Sequence, residues 1–316
     1  PFLIPANWFR LQEQKLLYMA EQEGYRALWA NELMTARALY FHVLLDRELD
    51  RKIAEADAFL QQALIMVRNR ETLGGLPPGT SRELEVRSLA LREDRRSLAV
   101  LLAEEQNSLT YVMGMPVTTE LELDTLAIPD LTQLEPLDYA DFEYRMVSSS
   151  PETRQFDFFV AAATYVRREV IYSFLGTTSM SRGAGGGVFD GLPMQDGLGF
   201  GTAASMRIVS AQQSLLRAQQ QGVKETLKRH LNLLVQSYNM DIENYSNLQR
   251  RIELTRLTEE QLLRNLRIGQ EVNILSLVEA SRNRIQAQIS FLGIQYRFLL
   301  NEDKLARLIF HGDYTL

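Results

Sequence analysis

Residues 227–252 read LKRHLNLLVQSYNMDIENYSNLQRRI. Within them Leu227, Leu231, Leu234, Tyr238, Ile242, Tyr245, Leu248 and Ile252 follow one another at steps of 4, 3, 4, 4, 3, 3 and 4. A mean step near 3.6 places all of them on one face of an α-helix, between a coiled-coil seam and a straight amphipathic stripe. The stripe lies inside a proline-free run from about Ala203 to Ile268. A second such run, from about Ala6 to Leu73, carries the same pattern at Leu49, Ile53, Ala56, Leu60, Leu64 and Val67. At 1.5 Å per residue each run predicts a helix roughly 100 Å long, far beyond the usual length. Helices of this kind need partners along their whole length, because an isolated amphipathic helix is marginal in water.

Both runs stop at a turn and are followed by a shorter helical return. The first turn is Gly74-Gly75-Leu76-Pro77-Pro78-Gly79, where glycine admits positive φ and proline forbids continuation, with Thr80 or Ser81 as the cap of a helix to about Met113. The second centres on Gly269, and Asn273 is placed to cap a helix to about Phe310. Long helix, turn and return helix thus occur twice, offset by about 195 residues, which is an internal repeat. Residues 1–114 form the first copy, 115–136 an extended connector with prolines at 116, 129 and 136, and 137–316 the second copy.

The second copy opens with a helical stretch from Leu137 to about Phe174, whose main run starts at Ser150-Pro151-Glu152. Around the glycine-rich stretch Ala184 to Gly197 the pattern changes to a period of two. Tyr172, Phe174, Thr178 and Met180 alternate with Ser173, Thr177, Ser179 and Ser181, and Leu198, Phe200, Thr202, Ala204, Met206 and Ile208 alternate with small or polar residues. One apolar face over about 10 residues is the pattern of a membrane β-barrel strand. A soluble hairpin, or a glycine-rich loop fraying into the helices, fits the same residues.

Composition removes many other functions. The 316 residues carry 34 Lys and Arg against 40 Asp and Glu, a formal charge of -6, which argues against a nucleic-acid binder. With no cysteine there are no disulfides, thiol nucleophiles or Fe–S clusters, and His42, His230 and His311 are too scattered to suggest a metal site. No apolar run is long enough for a transmembrane helix. Gly183-Ala184-Gly185-Gly186-Gly187 lacks the Lys-Ser/Thr of a phosphate loop. The pairs Glu83/Glu85 and Glu259/Glu260 and the cluster Arg92, Arg95 and Arg96 read as solvated helix faces, and Trp8 and Trp29 as packing residues. No catalytic set and no cofactor site emerges.

The segment Ser276-Leu277-Val278-Glu279-Ala280-Ser281-Arg282-Asn283-Arg284-Ile285-Gln286-Ala287-Gln288 resembles the "LDVLDAQRALLEAQ" return helix of the TolC family, the outer membrane factors of Gram-negative efflux and type I secretion systems. Asn107 to Pro116 resembles that family's "NALAVLLGLP" ending of the first return helix, and Leu137 to Pro151 the "LEELLALALENSP" opening of the second repeat. The resemblance implies a mainly α fold in which very long antiparallel helices form a coiled-coil α-barrel across the periplasm. A small β-hairpin, about 171–209 here, would join one shared outer-membrane β-barrel, with Tyr172, Phe174, Met180, Leu198, Phe200 and Met206 on its membrane face. It further implies a homotrimer acting as an export duct with a periplasmic adaptor and an inner-membrane pump, without catalysis.

Family membership would put adaptor docking at the tips, Gly74, Gly75, Gly79 and Thr80 on one side and Ile268, Gly269 and Gln270 on the other. The periplasmic gate would fall at Ser276 and Glu279, where the family carries two acidic residues. Serine at the first leaves one ring of carboxylates, and hence weak cation selectivity. About 65 residues precede the second descending helix and only five the first. That asymmetry predicts roughly 60 further residues upstream, an ascending helix and a hairpin after a signal peptide. The alternative is a TolC-derived periplasmic scaffold with a reduced barrel.

Overall fold

The computed structural model describes residues 4–116, 119, 121–173, 202–268, 270 and 273–315. Six α-helices account for most of them: α1 (Pro5–Thr72), α2 (Ser81–Val112), α3 (Tyr139–Ser149), α4 (Pro151–Tyr172), α5 (Thr202–Ile268) and α6 (Ile274–Leu308). The two long helices have 68 and 67 residues and the helices that follow them 32 and 35. No described helix is long and apolar enough to cross a membrane.

Packing divides the chain into two units. One comprises residues 32–137 and 234–304. Its core near the turns joins Ile53, Leu60, Leu64 and Val67 of α1 to Leu84 and Leu91 of α2, Leu266 of α5, and Ile274, Leu277 and Ile285 of α6. Leu60, Leu84 and Leu277 are completely buried, each contributing about 2 kcal/mol by leaving water. Further along, Tyr238 stacks on Phe298 and Tyr245 on Phe291, with ring centroids 4.8 and 4.9 Å apart. The connector between α2 and α3 is pinned to this unit. Leu131 is buried beside Tyr238 and Phe298, and the Tyr40 hydroxyl donates to the Asp124 carbonyl at 2.7 Å. The Asn239 amide accepts from the Leu137 N–H at 2.8 Å and donates to the Leu137 carbonyl at 3.0 Å, so it pairs with that backbone as a neighbouring strand would.

The other unit comprises residues 1–31, 138–233 and 305–316. Ala162, Ala163, Val166 and Val170 of α4 pack on Val209 and Leu216 of α5, with Leu16 and Leu17 of α1 alongside. Ser150 breaks the helical path between α3 and α4. Its N–H ends one helix by donating to the Met146 carbonyl at 3.0 Å, its hydroxyl accepts from the Thr153 N–H at 3.3 Å, and Pro151 occupies the first helical position of the next. At the far end of α6, Phe310 adopts φ 53, a left-handed conformation rare outside glycine. Its ring lies 4.8 Å from the Arg26 guanidinium and 6.0 Å from that of Arg307, and Arg307 pairs with Glu152.

The strand expectation fails at both described flanks. Tyr172 lies in α4 and Met206 in α5. Ser205, Val209 and Leu216 are buried while Ile208 is exposed, a spacing of 4 and 7 that is helical. Residues such as Ala203, Ala204 and Ser205 are small enough to suit either period, so the alternation there was composition, not register. Phe174, Met180, Leu198 and Phe200 lie outside the described residues.

Candidate functional site

The two turns and the start of α6 belong to the same unit. At the first turn Leu73, Gly74 and Gly75 donate to the carbonyls of Asn69, Glu71 and Arg70 at 3.2, 3.2 and 2.8 Å, with Gly74 at φ 76. This Schellman arrangement satisfies the orphan carbonyls of α1 and requires the left-handed glycine. Gly79, at φ 91, gives the second sharp change of direction. The cap of α2 differs from expectation. Thr80 has helical φ and ψ and makes no capping bond; its hydroxyl donates back to the Pro77 carbonyl at 2.5 Å. Glu71, still in α1, does the capping: its carboxylate accepts from the N–H of Gly79 and, at 3.3 Å, from that of Ser81. Hydrogen bonds from the Ser81 hydroxyl and the Gly79 N–H hold the Glu71 carboxyl below the usual range.

At the second turn the Gln270 N–H donates to the Asn265 carbonyl at 3.1 Å, and Asn273 caps α6 as its position implies, accepting from the Leu275 N–H at 3.0 Å. The Arg70 guanidinium reaches the Gln270 carbonyl at 3.3 Å, bringing the two turns together. Gly269 lies outside the described residues. Two apolar side chains stand out at this end: Leu73 is 86% exposed and Ile268 64%. Leu73 did not figure among the expected tip residues, although an apolar residue directly before Gly74-Gly75 is the available signal.

The expected gate residues sit on the first turns of α6. Ser276 is half-buried and Glu279 exposed. Ile274, Leu277 and Ile285 turn into the core, which leaves Leu275, Glu279, Arg282, Asn283 and Gln286 outward on one stripe. Glu279, Arg282, Asn283 and Gln286 line a shallow groove of about 330 Å³.

Next to α6, Glu259 of α5 is not the solvated residue its sequence suggested. It is 2% exposed and pairs with Arg284 of α6; burial raises its carboxyl above the usual range against the pull of that arginine. Glu260 does lie on the surface, pairing with Arg256 at 2.5 Å. A second buried acid, Asp241, is gripped by Arg297 and lies 3.4 Å from the Asn301 amide. Across α1 and α2, Arg92 pairs with Asp57 at 3.1 Å and Arg95 with Asp50 at 2.7 Å. Asp46 and Glu105 also meet there, and each keeps one buried oxygen without a partner. Burial, followed by the neighbouring Asp46 charge, raises the Glu105 carboxyl to about 7. Among the described residues no cluster of acidic and histidine side chains is arranged to hold a metal ion.

No family model and no curated protein matches the chain. Solved structures do. The outer-membrane channel OprN superposes with a TM-score of 0.81 over 98% of this chain and 73% of its own, at 13% identity. The outer membrane protein VceC of Vibrio cholerae gives 0.80 over 98% and 77%, at 11% identity. The open state of the MtrE outer membrane channel of Neisseria gonorrhoeae gives 0.73 over 95% and 71%, at 14% identity. The chain therefore has the fold of outer membrane factor channels, in agreement with the resemblance read from its sequence.

Proposed function

We propose that the protein is one subunit of a trimeric, TolC-like export duct of the periplasm and outer membrane, serving efflux or type I secretion. It passes cargo without turning it over, and its energy comes from an inner-membrane pump reached through a periplasmic adaptor. The observation that carries this reading is the duplicated long hairpin in the channel fold, left with apolar side chains facing solvent. Leu11, Tyr18 and Tyr25 recur seven residues apart on α1, Val86, Leu89 and Val100 follow one another on α2, and Leu254 and Leu257 are exposed on α5. Seven-residue spacing is the seam of a coiled coil, and stripes of this kind are covered by further copies of the chain.

On this reading the exposed Leu73 and Ile268 join Gly74, Gly75, Gly79, Thr80, Gly269 and Gln270 as the adaptor's docking end, and Ser276 with Glu279 faces the constriction. Light scattering on the detergent-extracted protein tests the assembly. A trimer is expected; a stable monomer at micromolar concentration would overturn the duct.

A further inference from the structure

The stripe that carries Glu279 carries a second formal charge. Arg282 stands three residues on, exposed, lining the same groove with Asn283 and Gln286. Residues three apart are neighbours on a helix, and the rise between them is about 4.5 Å. Of the other charges in the first half of α6, Arg284 is turned to the buried Glu259, so it is neutralised and faces away. Among the described residues neither Glu279 nor Arg282 takes part in an ion pair, so both charges are free to act on what passes the groove.

We propose that Arg282 determines ion preference at the constriction, by setting a ring of guanidinium groups against the ring of Glu279 carboxylates. The inference rests on the duct reading, in which three copies of α6 line the narrow end. Three carboxylates and three guanidinium groups leave no net charge there. The separation of the rings is shorter than the roughly 8 Å screening length at physiological salt, so a passing ion feels both together. The duct is then close to non-selective, not weakly cation-selective as a lone carboxylate ring would make it. Removing either ring uncovers the other. A single charge met at about 4 Å near a protein surface is worth enough to shift permeation of one sign of ion by roughly tenfold.

Planar-bilayer recording with the complete protein in a salt gradient tests this. The parent should show a cation-to-anion permeability ratio near one. Arg282→Gln should raise that ratio by roughly tenfold, Glu279→Gln should lower it by a similar factor, and the double variant should return it to near one. Arg282→Lys keeps the charge and should behave as the parent. If Glu279→Gln shifts the ratio while Arg282→Gln does not, the duct stands and the role given to Arg282 falls. If neither variant shifts it, this face of α6 does not line the constriction, and both the gate and this inference are overturned.

Discussion

The arms of the two long hairpins are held together differently. Between α5 and α6 the acids have been taken out of water: Asp241 is 0% exposed against Arg297, Glu259 is buried against Arg284, and Asn301 adds bonds to Ser237 and Asp241. Between α1 and α2 the pairs Arg68–Glu85, Arg92–Asp57 and Arg95–Asp50 all leave their carboxylates partly exposed, at 48, 21 and 31%. An exposed pair gives little net stability, because its gain nearly balances what hydration and side-chain freedom lose. A buried carboxylate stripped of its partner is severely destabilising. The second hairpin therefore depends on its polar pairs more than the first does. The helix carrying Ser276 and Glu279 belongs to the second.

The largest effect that would break this contrast is at Arg297. Arg297→Met leaves Asp241 buried with only the Asn301 amide, and should lower stability by about 3 kcal/mol in urea unfolding. A loss under 1 kcal/mol would show that water reaches Asp241 and that the hairpins are held alike. The matching change in the first hairpin, Arg95→Met, should leave the midpoint unchanged.

A smaller effect sharpens the comparison at the contact of Asp46 with Glu105 in the first hairpin. The Glu105 carboxyl titrates near 7 in the folded chain, above its usual 4.5. Between those values the folded state holds a proton that the unfolded state has lost, so stability is full below about 4.5 and falls as pH rises through 7. Glu105→Gln removes that titration and keeps a donor for Asp46. The variant should match the parent at pH 5 and exceed it at pH 8 by about 1 kcal/mol, a figure reduced because solvent reaches Glu105. Equal stability of the two at both pH values in thermal melts would mean that the Glu105 carboxyl is not raised in the folded chain.

Much of this was legible where a residue acts on its own neighbours. Gly74, Pro77-Pro78, Ser150-Pro151 and Asn273 set helix ends through bonds and torsions within a turn of themselves, and the structure puts the ends there. The 3.6 spacing of Leu60, Leu64 and Val67 likewise marked the face that enters the core. What the sequence hid depends on a partner far along the chain. Glu259 looks like any surface acid until Arg284, 25 residues away, closes over it. Asp46 and Glu105 each look solvated until α1 and α2 lie side by side. Arg282 is the opposite case: the three-residue rule that joins Ser276 to Glu279 also joins Glu279 to Arg282, and only the structure showed that the face it shares is the open one.

The Glu71 cap bears on the order in which the chain assembles. Its carboxylate reaches partners only 8 and 10 residues ahead, and loops of that length close within about 10–100 ns. That short reach predicts that the first turn nucleates its hairpin, with pairing then spreading away from it as a zipper closes from one end. Glu71→Ala should accordingly slow refolding and leave the unfolding rate nearly unchanged, whereas unchanged refolding with faster unfolding would place the start elsewhere. A ribosome still making the second repeat would already have released a finished tip.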